Sequence, residues 1–304
     1  MGNTFFFDWE IRLLEFFQSV ENSFTTTVAT FFSMLGEEMF LIMIVGFLYW
    51  CWDKEKAKPI SLSLLFSLSM CVQIKGLVLR RRPYMDSSAI KCIRPAHKEG
   101  DIANVMIQGY SCPSAHSCLS ANTFGAIAYQ FRKKIFCILA VIVPLAVGCS
   151  RMYFGVHYPT DVFLGWIIGY VSVLLISVLY EKVKRKGLLF ILISATTLPG
   201  IFYCRDAEYF TLLGITIGFI GGYAFEQKYV KFQNTHSVIK SIVRVLGGVV
   251  LFIVLNVVLK LPFPTDVSET ANTISFAIRI LRYSITTFSI IGIYPKLFDK
   301  FRWI

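Results

Sequence analysis

Hydrophobic residues in this chain fall in long blocks broken by short polar stretches, and strict strand-type alternation is absent. Blocks near the roughly 20 residues needed to cross hydrocarbon read as membrane helices, since a spanning segment must satisfy its own backbone. The blocks predict spans at about 24–52, 57–80, from Pro113 to the "RKK" at 132–134, 135–153, and from Pro159 to "EKVKRK". Four more follow at 187–204, 208–227, 238–261 and 272–296. The fold class is therefore an all-α polytopic transmembrane helix bundle of about nine spans. Ahead of it, residues 5–20 mix Phe5, Phe6, Trp9, Leu13, Phe16 and Phe17 with Asp8, Glu10, Arg12 and Glu15, the pattern of an amphipathic helix lying in the interface. A polar stretch, 81–112, separates the second and third spans.

Composition agrees: of 304 residues, 55% are hydrophobic and 16% charged, with a mean hydropathy of +0.62. A net charge of +11 would suit nucleic acid in a soluble protein. Here it reads as positive loops on one membrane face, and no nucleic-acid partner is expected. "DKEKAK", "RKK", "EKVKRK", "QKYVK" and "KLFDKFR" fall on one side of a nine-span count, which makes that side cytoplasmic, the N-terminus outside and the C-terminus inside. Residues 80–98 and Arg151 break the rule: "RRRPYMDSSAIKCIRPAHK" is basic on the outer side, where an anion could hold it. The opening "MGNTFFFDWE" reads neither as a signal peptide nor, with Phe6 where Ser or Thr is wanted, as a myristoylation signal. The eight cysteines lack metal-type spacing, although Cys92 and Cys112 flank one polar loop and could pair. With no internal repeat and no long linker, residues 1–304 read as one membrane domain. Within it 57–180 forms a core and 187–304 adds helices.

Three clusters fall on the deduced outer face. In "KGLVLRRRP", Lys75 and Arg82 lie seven apart near the end of a span, and Pro83 biases Arg82 out of the helix. Two such cations can clamp an anion or merely snorkel. In "CPSAHS", Pro113 suits a first helical position, so Ser114, Ala115 and His116 would offer first-turn N–H groups. His116 could donate a proton, or the stretch could be plain capping. In "SRMYFGVHYPTD", Arg151 closes a span, Pro159 starts the next, and Asp161 stands four residues after His157. A carboxylate reaching back to one imidazole nitrogen would make the other a base, a metal ligand or a nucleophile. Alternatively this is a satisfied interfacial pair. Together the clusters bring cations, two histidines and two helix starts to one face, a site suited to a phosphate dianion. No acidic cluster suggests a metal.

The order Lys-x6-Arg-Pro, Pro-Ser-x-His, Ser-Arg-x5-His-x3-Asp resembles the type 2 phosphatidic acid phosphatase superfamily. The matching positions are Lys75, Arg82, Pro83, Pro113, Ser114, His116, Ser150, Arg151, His157 and Asp161, covering residues 75–161, the second to fifth spans. Ala115 departs from the family's usual glycine, keeping the N–H and adding a methyl. The resemblance implies a phosphatase core in those spans, with His157 the nucleophile that forms a phosphohistidine, oriented by Asp161, and His116 the acid for the leaving oxygen. Lys75, Arg82, Ser114, Ala115 and Arg151 would bind phosphate, with no metal and no cofactor. The implied partners are a membrane lipid substrate and phosphate or analogues such as vanadate. The implied location is a bacterial plasma membrane with the site on the extracytoplasmic face. The span count looks closer to the glucose-6-phosphatase layout, which keeps a sugar phosphate open as substrate. Arg279 and Arg282, inside the last apolar run, keep open a transporter with an inactive site. Trp9, Tyr84, Tyr110, Tyr153 and Tyr158 would line an aromatic entrance at the interface.

Overall fold

The computed structural model describes residues 2–96, 101–263 and 273–300; His97, Lys98 and the last residues of the basic tail lie outside them. Among the described residues the chain is helical, with one isolated bridge between Asn3 and Arg80 and no strand. Six helices are long and apolar enough to cross a membrane: Lys54–Val78, Lys134–Tyr153, Pro159–Lys182, Ala207–Val230, Val238–Val258 and Thr273–Phe298. A seventh candidate is the pair Ser23–Met34 and Glu38–Trp52, bent by 46° at its break. This is an integral membrane protein.

Among the described residues the expected count of nine is not confirmed, because two segments do not form long apolar helices. The segment beginning at Pro113 is a helix of only 17 residues, Ala115–Phe131, and its Ser117, Ser120, Asn122 and Thr123 are buried. Those polar side chains face protein, so the helix has no need of an apolar surface all round. The segment expected at 187–204 is a short helix, α10 (Lys186–Ala195), followed by a 3₁₀ turn over Leu198–Phe202 that contains Pro199.

The chain divides into two compact units, Met1–Leu41 with Met70–Ser177, and Ile42–Ser69 with Val178–Ile304. The first contains every candidate site residue. Its elements are α1 (Asp8–Ser19), α2 (Ser23–Met34), the end of α4 (Lys54–Val78), the short α5 (Pro83–Asp86) and α6 (Val105–Gln108), α7 (Ala115–Phe131), α8 (Lys134–Tyr153) and most of α9 (Pro159–Lys182). The intervening α3 is Glu38–Phe47. Helix α1 has the amphipathic character its sequence suggests: Leu14 and Glu10 are fully buried while Phe7, Trp9 and Phe16 are exposed. Its Gln18 amide donates to Lys91 O at 2.8 Å and to Tyr153 O at 3.2 Å, tying the helix to the polar stretch and to the end of α8.

Helices α7 and α9 meet through glycine. A Cβ on Gly165 would lie 2.7 Å from Ser114 O and 3.1 Å from Cys118 N, and one on Gly169 would lie 2.6 Å from Cys118 O. Two small residues four apart let the backbones approach this closely, and that contact brings the start of α9 to the start of α7.

The second unit pairs α11 (Ala207–Phe225) with α13 (Thr273–Phe288), where Gly214 and Gly218 face Ile280 O and Ser284 O. Helix α12 is Val238–Val258. In this unit Glu226 is fully buried, accepting from Lys54 Nζ and, at 3.1 Å, from Tyr49 Oη. Arg279 and Arg282 belong to this unit, and the Arg282 guanidinium lies 4.9 Å from the Tyr283 ring centroid.

Candidate active site

Each candidate residue stands at a helix end or in the loop beside one. Helix α4 stops at Val78, and Leu79 takes a left-handed φ of 53°. Lys75 therefore stays in its last turn while Arg82 becomes the extended N-cap residue of α5. The two are not on one helix face, yet both act electrostatically on His116 and His157. Lys75 and Arg82 are 4% and 3% exposed, so neither is a snorkelling surface cation. Arg82 is fixed by carbonyls: Nη2 donates to Gln108 O at 2.6 Å, Nη1 to Val156 O at 3.0 Å and Nε to Gln108 O at 3.0 Å.

Helix α7 begins two residues later than its proline suggests. Ser114 is the N-cap, and its Oγ accepts from Ser117 N at 3.4 Å. The Ser114 N–H is not available to an anion, because it donates to Asp161 O at 3.0 Å. The first-turn donors left pointing outward are the amides of Ala115 and His116. His116 itself is half-buried, within electrostatic reach of Arg151, His157, Lys75 and Arg82.

Arg151 lies in the last turn of α8, 4% exposed. Its Nη1 donates to Ser33 Oγ of α2 at 2.9 Å, and its buried Nε has no partner among the described residues. A buried guanidinium edge with an unmet N–H is a donor waiting for an acceptor.

His157 departs most from expectation. Its Nδ1 lies 2.7 Å from Ser111 O, and Asp161 Oδ2 is 3.7 Å away, beyond hydrogen-bond reach. A carbonyl can only accept, so Nδ1 carries the hydrogen and Nε2 keeps its lone pair. The tautomer expected from a carboxylate is thus fixed by the peptide backbone. Asp161 is occupied elsewhere: Oδ2 accepts from Tyr158 N at 2.8 Å, reaching back over its own helix start, and Oδ1 accepts from Arg80 Nη1 at 2.7 Å. Burial, then the Arg82, Arg151 and Lys75 charges, hold His157 well below the usual histidine range. The ring is therefore neutral near neutral pH.

Arg80, Glu10, Ser111, Thr160 and Ser33 also hold these side chains, and none is a specified position of the sequence motifs. Arg80 and Glu10 are 1% and 0% exposed, and Arg80 bridges Glu10 and Asp161. The signal available was a third arginine beside the recognised one and an acid four residues before Leu14 on the inner face of α1. Two of the expected entrance aromatics are not at a rim. Tyr153 is buried with its hydroxyl 2.7 Å from Thr26 Oγ, and Tyr158 is buried with its ring 3.8 Å from the Arg80 guanidinium. Trp9 is exposed, and Tyr84 and Tyr110 are half-buried. All eight cysteines are free, so Cys92 and Cys112 are not paired, and burial pushes the Cys112 thiol up to about 12. No group of three or more His, Cys, Asp or Glu gathers among the described residues.

Comparison with known proteins bears on this cluster. Residues 56–185 match the sequence profile of the PAP2 superfamily, and residues 210–303 match the profile described as PAP2 superfamily phosphatase, transmembrane extension. Phosphatidylglycerophosphatase B of Bacillus subtilis is 36% identical over 85 residues, which is 25% of this chain and 42% of that protein. The Bacteroides thetaiotaomicron lipid A 4'-phosphatase is 26% identical over 182 residues, 54% of this chain and 74% of that one. A crystal structure of a transmembrane PAP2-type phosphatidylglycerolphosphate phosphatase from Bacillus subtilis matches with 24% identity and a TM-score of 0.46, covering 58% of this chain and 87% of that one.

Proposed function

This chain belongs to the PAP2 superfamily, and from that membership we propose that it is a membrane phosphatase for phosphate-bearing lipids, working through a phosphohistidine on His157. The observation that carries the reading is the gathering of three buried cations, Lys75, Arg82 and Arg151, around two histidines within one compact unit. Cations gathered at two imidazoles suit the oxygens of a phosphate dianion, which accept charge-assisted hydrogen bonds.

The chemistry follows from the geometry. Lys75, Arg82, Arg151 and the Ala115 and His116 amides hold the non-bridging oxygens. The unprotonated His157 Nε2 attacks phosphorus as the bond to the leaving oxygen breaks, and His116, which carries a proton once the bound phosphate offsets the cations around it, gives that oxygen its proton. Water then attacks the phosphohistidine, His116 takes a proton from it, and inorganic phosphate leaves. The cations stabilise the charge that spreads over the transferred oxygens, the larger part of catalysis in phosphoryl transfer. Because the ligands at the phosphate are cationic, a divalent ion is repelled and no step uses one. Both named relatives act, by their descriptions, on phosphate-bearing lipids, which supports a lipid over a sugar substrate. The outward basic stretch and the charge asymmetry support an extracytoplasmic site in a bacterial plasma membrane.

Phosphate release from phosphatidate, a polyprenyl diphosphate and glucose 6-phosphate tests the reading, each with and without EDTA. Turnover of at least one lipid, undiminished by EDTA, is expected. Turnover of the sugar alone, or loss in EDTA that magnesium restores, contradicts it. In the same assay His116→Ala should lose about 10²–10⁴-fold on an alkyl phosphate and much less on p-nitrophenyl phosphate, whose leaving group needs little protonation.

A further inference from the structure

Arg80 occupies an unspecified position of the first motif, yet it is more deeply buried than Arg82. Its guanidinium is shared between two carboxylates. Nη2 donates to Glu10 Oε2 at 2.7 Å, and Nη1 donates to Asp161 Oδ1 and to Thr160 Oγ, each at 2.7 Å. Nε donates to Phe5 O at 2.9 Å, and the plane lies on the Tyr158 ring. Glu10 is held in turn: Oε1 accepts from Thr160 Oγ at 2.6 Å and Thr160 N at 3.2 Å, and Oε2 accepts from Phe7 N at 3.0 Å.

Anchoring α1 does not by itself call for this arrangement. Apolar side chains of similar volume would hold the helix without the desolvation cost of three buried ions. What only the charged set supplies is an Asp161 that is both immobile and electrically effective. Arg80 alone would cancel the Asp161 charge as felt at His157. Glu10 supplies a second negative charge, so the triad carries a net charge of −1 beside Nδ1. As Nε2 attacks phosphorus, positive charge develops on the imidazole ring, and a fixed negative charge on its far side lowers the energy of that state. Asp161 Oδ2 stands 3.7 Å from Nδ1, close enough to act electrostatically while the Ser111 carbonyl takes the hydrogen bond.

We propose that Arg80 and Glu10 are positioning residues of the phosphoryl-transfer site: together they fix Asp161 beside His157 and preserve its net negative charge there. This rests on the phosphatase reading above. Neither residue touches substrate, so their removal acts on the chemical step and leaves substrate binding alone.

The test uses the full chain in detergent with phosphatidate in mixed micelles. Wild type and His157→Ala are compared with Glu10→Gln, which makes the triad neutral, and with the double variant Glu10→Leu/Arg80→Met, which keeps the Asp161 charge but removes the guanidinium that holds it in place. Elution profile and melting temperature report folding; kcat and KM are measured separately. The expected result is a folded double variant whose kcat falls by about tenfold or more with KM within about twofold of wild type, and a loss of the same kind in Glu10→Gln. A folded double variant with full kcat overturns the inference, as does loss carried by KM. If the double variant fails to fold, Glu10→Gln decides by the same criteria; failure of both to fold assigns the triad to stability and overturns it too. A wild type that releases no phosphate removes the phosphatase reading itself. An active wild type with inactive His157→Ala and unaltered variants removes the inference alone.

Discussion

A histidine that attacks phosphorus needs one nitrogen unprotonated, and for His157 a backbone carbonyl arranges this. The Ser111 carbonyl takes the Nδ1 hydrogen, while burial and three nearby cations oppose a second proton. This has a consequence for stability. The folded-state pKa lies well below the unfolded value of about 6.5. Between the two, the unfolded chain binds a proton that the folded one does not, so stability is lost as pH falls below about 6.5. Wild-type melting temperature in detergent should therefore fall more steeply than that of His157→Gln as pH drops from about 7.5 to about 5.5. Parallel curves would contradict a buried neutral imidazole. At this scale the motif residues were legible because each reacting group sits in a short local pattern. Their partners were not, because contact is made across long stretches of chain. Glu10 lies 70 positions from Arg80, and Arg151 lies 118 from Ser33. No local pattern told Asp161 that its nearest cation would be Arg80.

Helix ends do the work of assembly. Gly165 sits over the N-cap of α7, and the same contact places Ser114 N on Asp161 O. A leucine at Gly165 would drive a side chain into Ser114 O and Cys118 N, both backbone atoms that cannot rotate away. Overpacking of this kind costs about 1–3 kcal/mol where the fold survives. Gly165→Leu should therefore lower the melting temperature and cut turnover by about tenfold or more, because the cap and the first-turn amides shift together. Wild-type turnover in a folded Gly165→Leu would show that this contact does not set the site. The apolar blocks gave the helices well: every block that the structure describes became helical. The polar interior of α7 and the proline break near 199 explain why two of the nine expected spans do not stand out as long apolar helices. Hydropathy reads lipid-facing surface, and α7 turns most of its surface to protein.

For the whole molecule, we propose from the charge asymmetry that residues 81–112 lie outside and the basic stretch after α9 inside. In a cysteine-free background, Ala103→Cys should react with an impermeant thiol reagent in intact cells, and Lys184→Cys only after permeabilisation. The reverse pattern would invert the orientation. The two compact units divide the labour visible in side chains: the first holds all the candidate site residues, and the second holds its own buried ion pair between Lys54 and Glu226. The central claim is that His157 carries the phosphoryl group. Rapid acid-free quenching of the purified protein after mixing with phosphatidate radiolabelled in its phosphate reads that group directly. A phosphohistidine there gives a labelled protein species that is lost in acid, stable in base and absent from His157→Ala, with the label mapped to His157. The same labelled species in His157→Ala, or no labelled protein in a wild type that turns the substrate over, would contradict it.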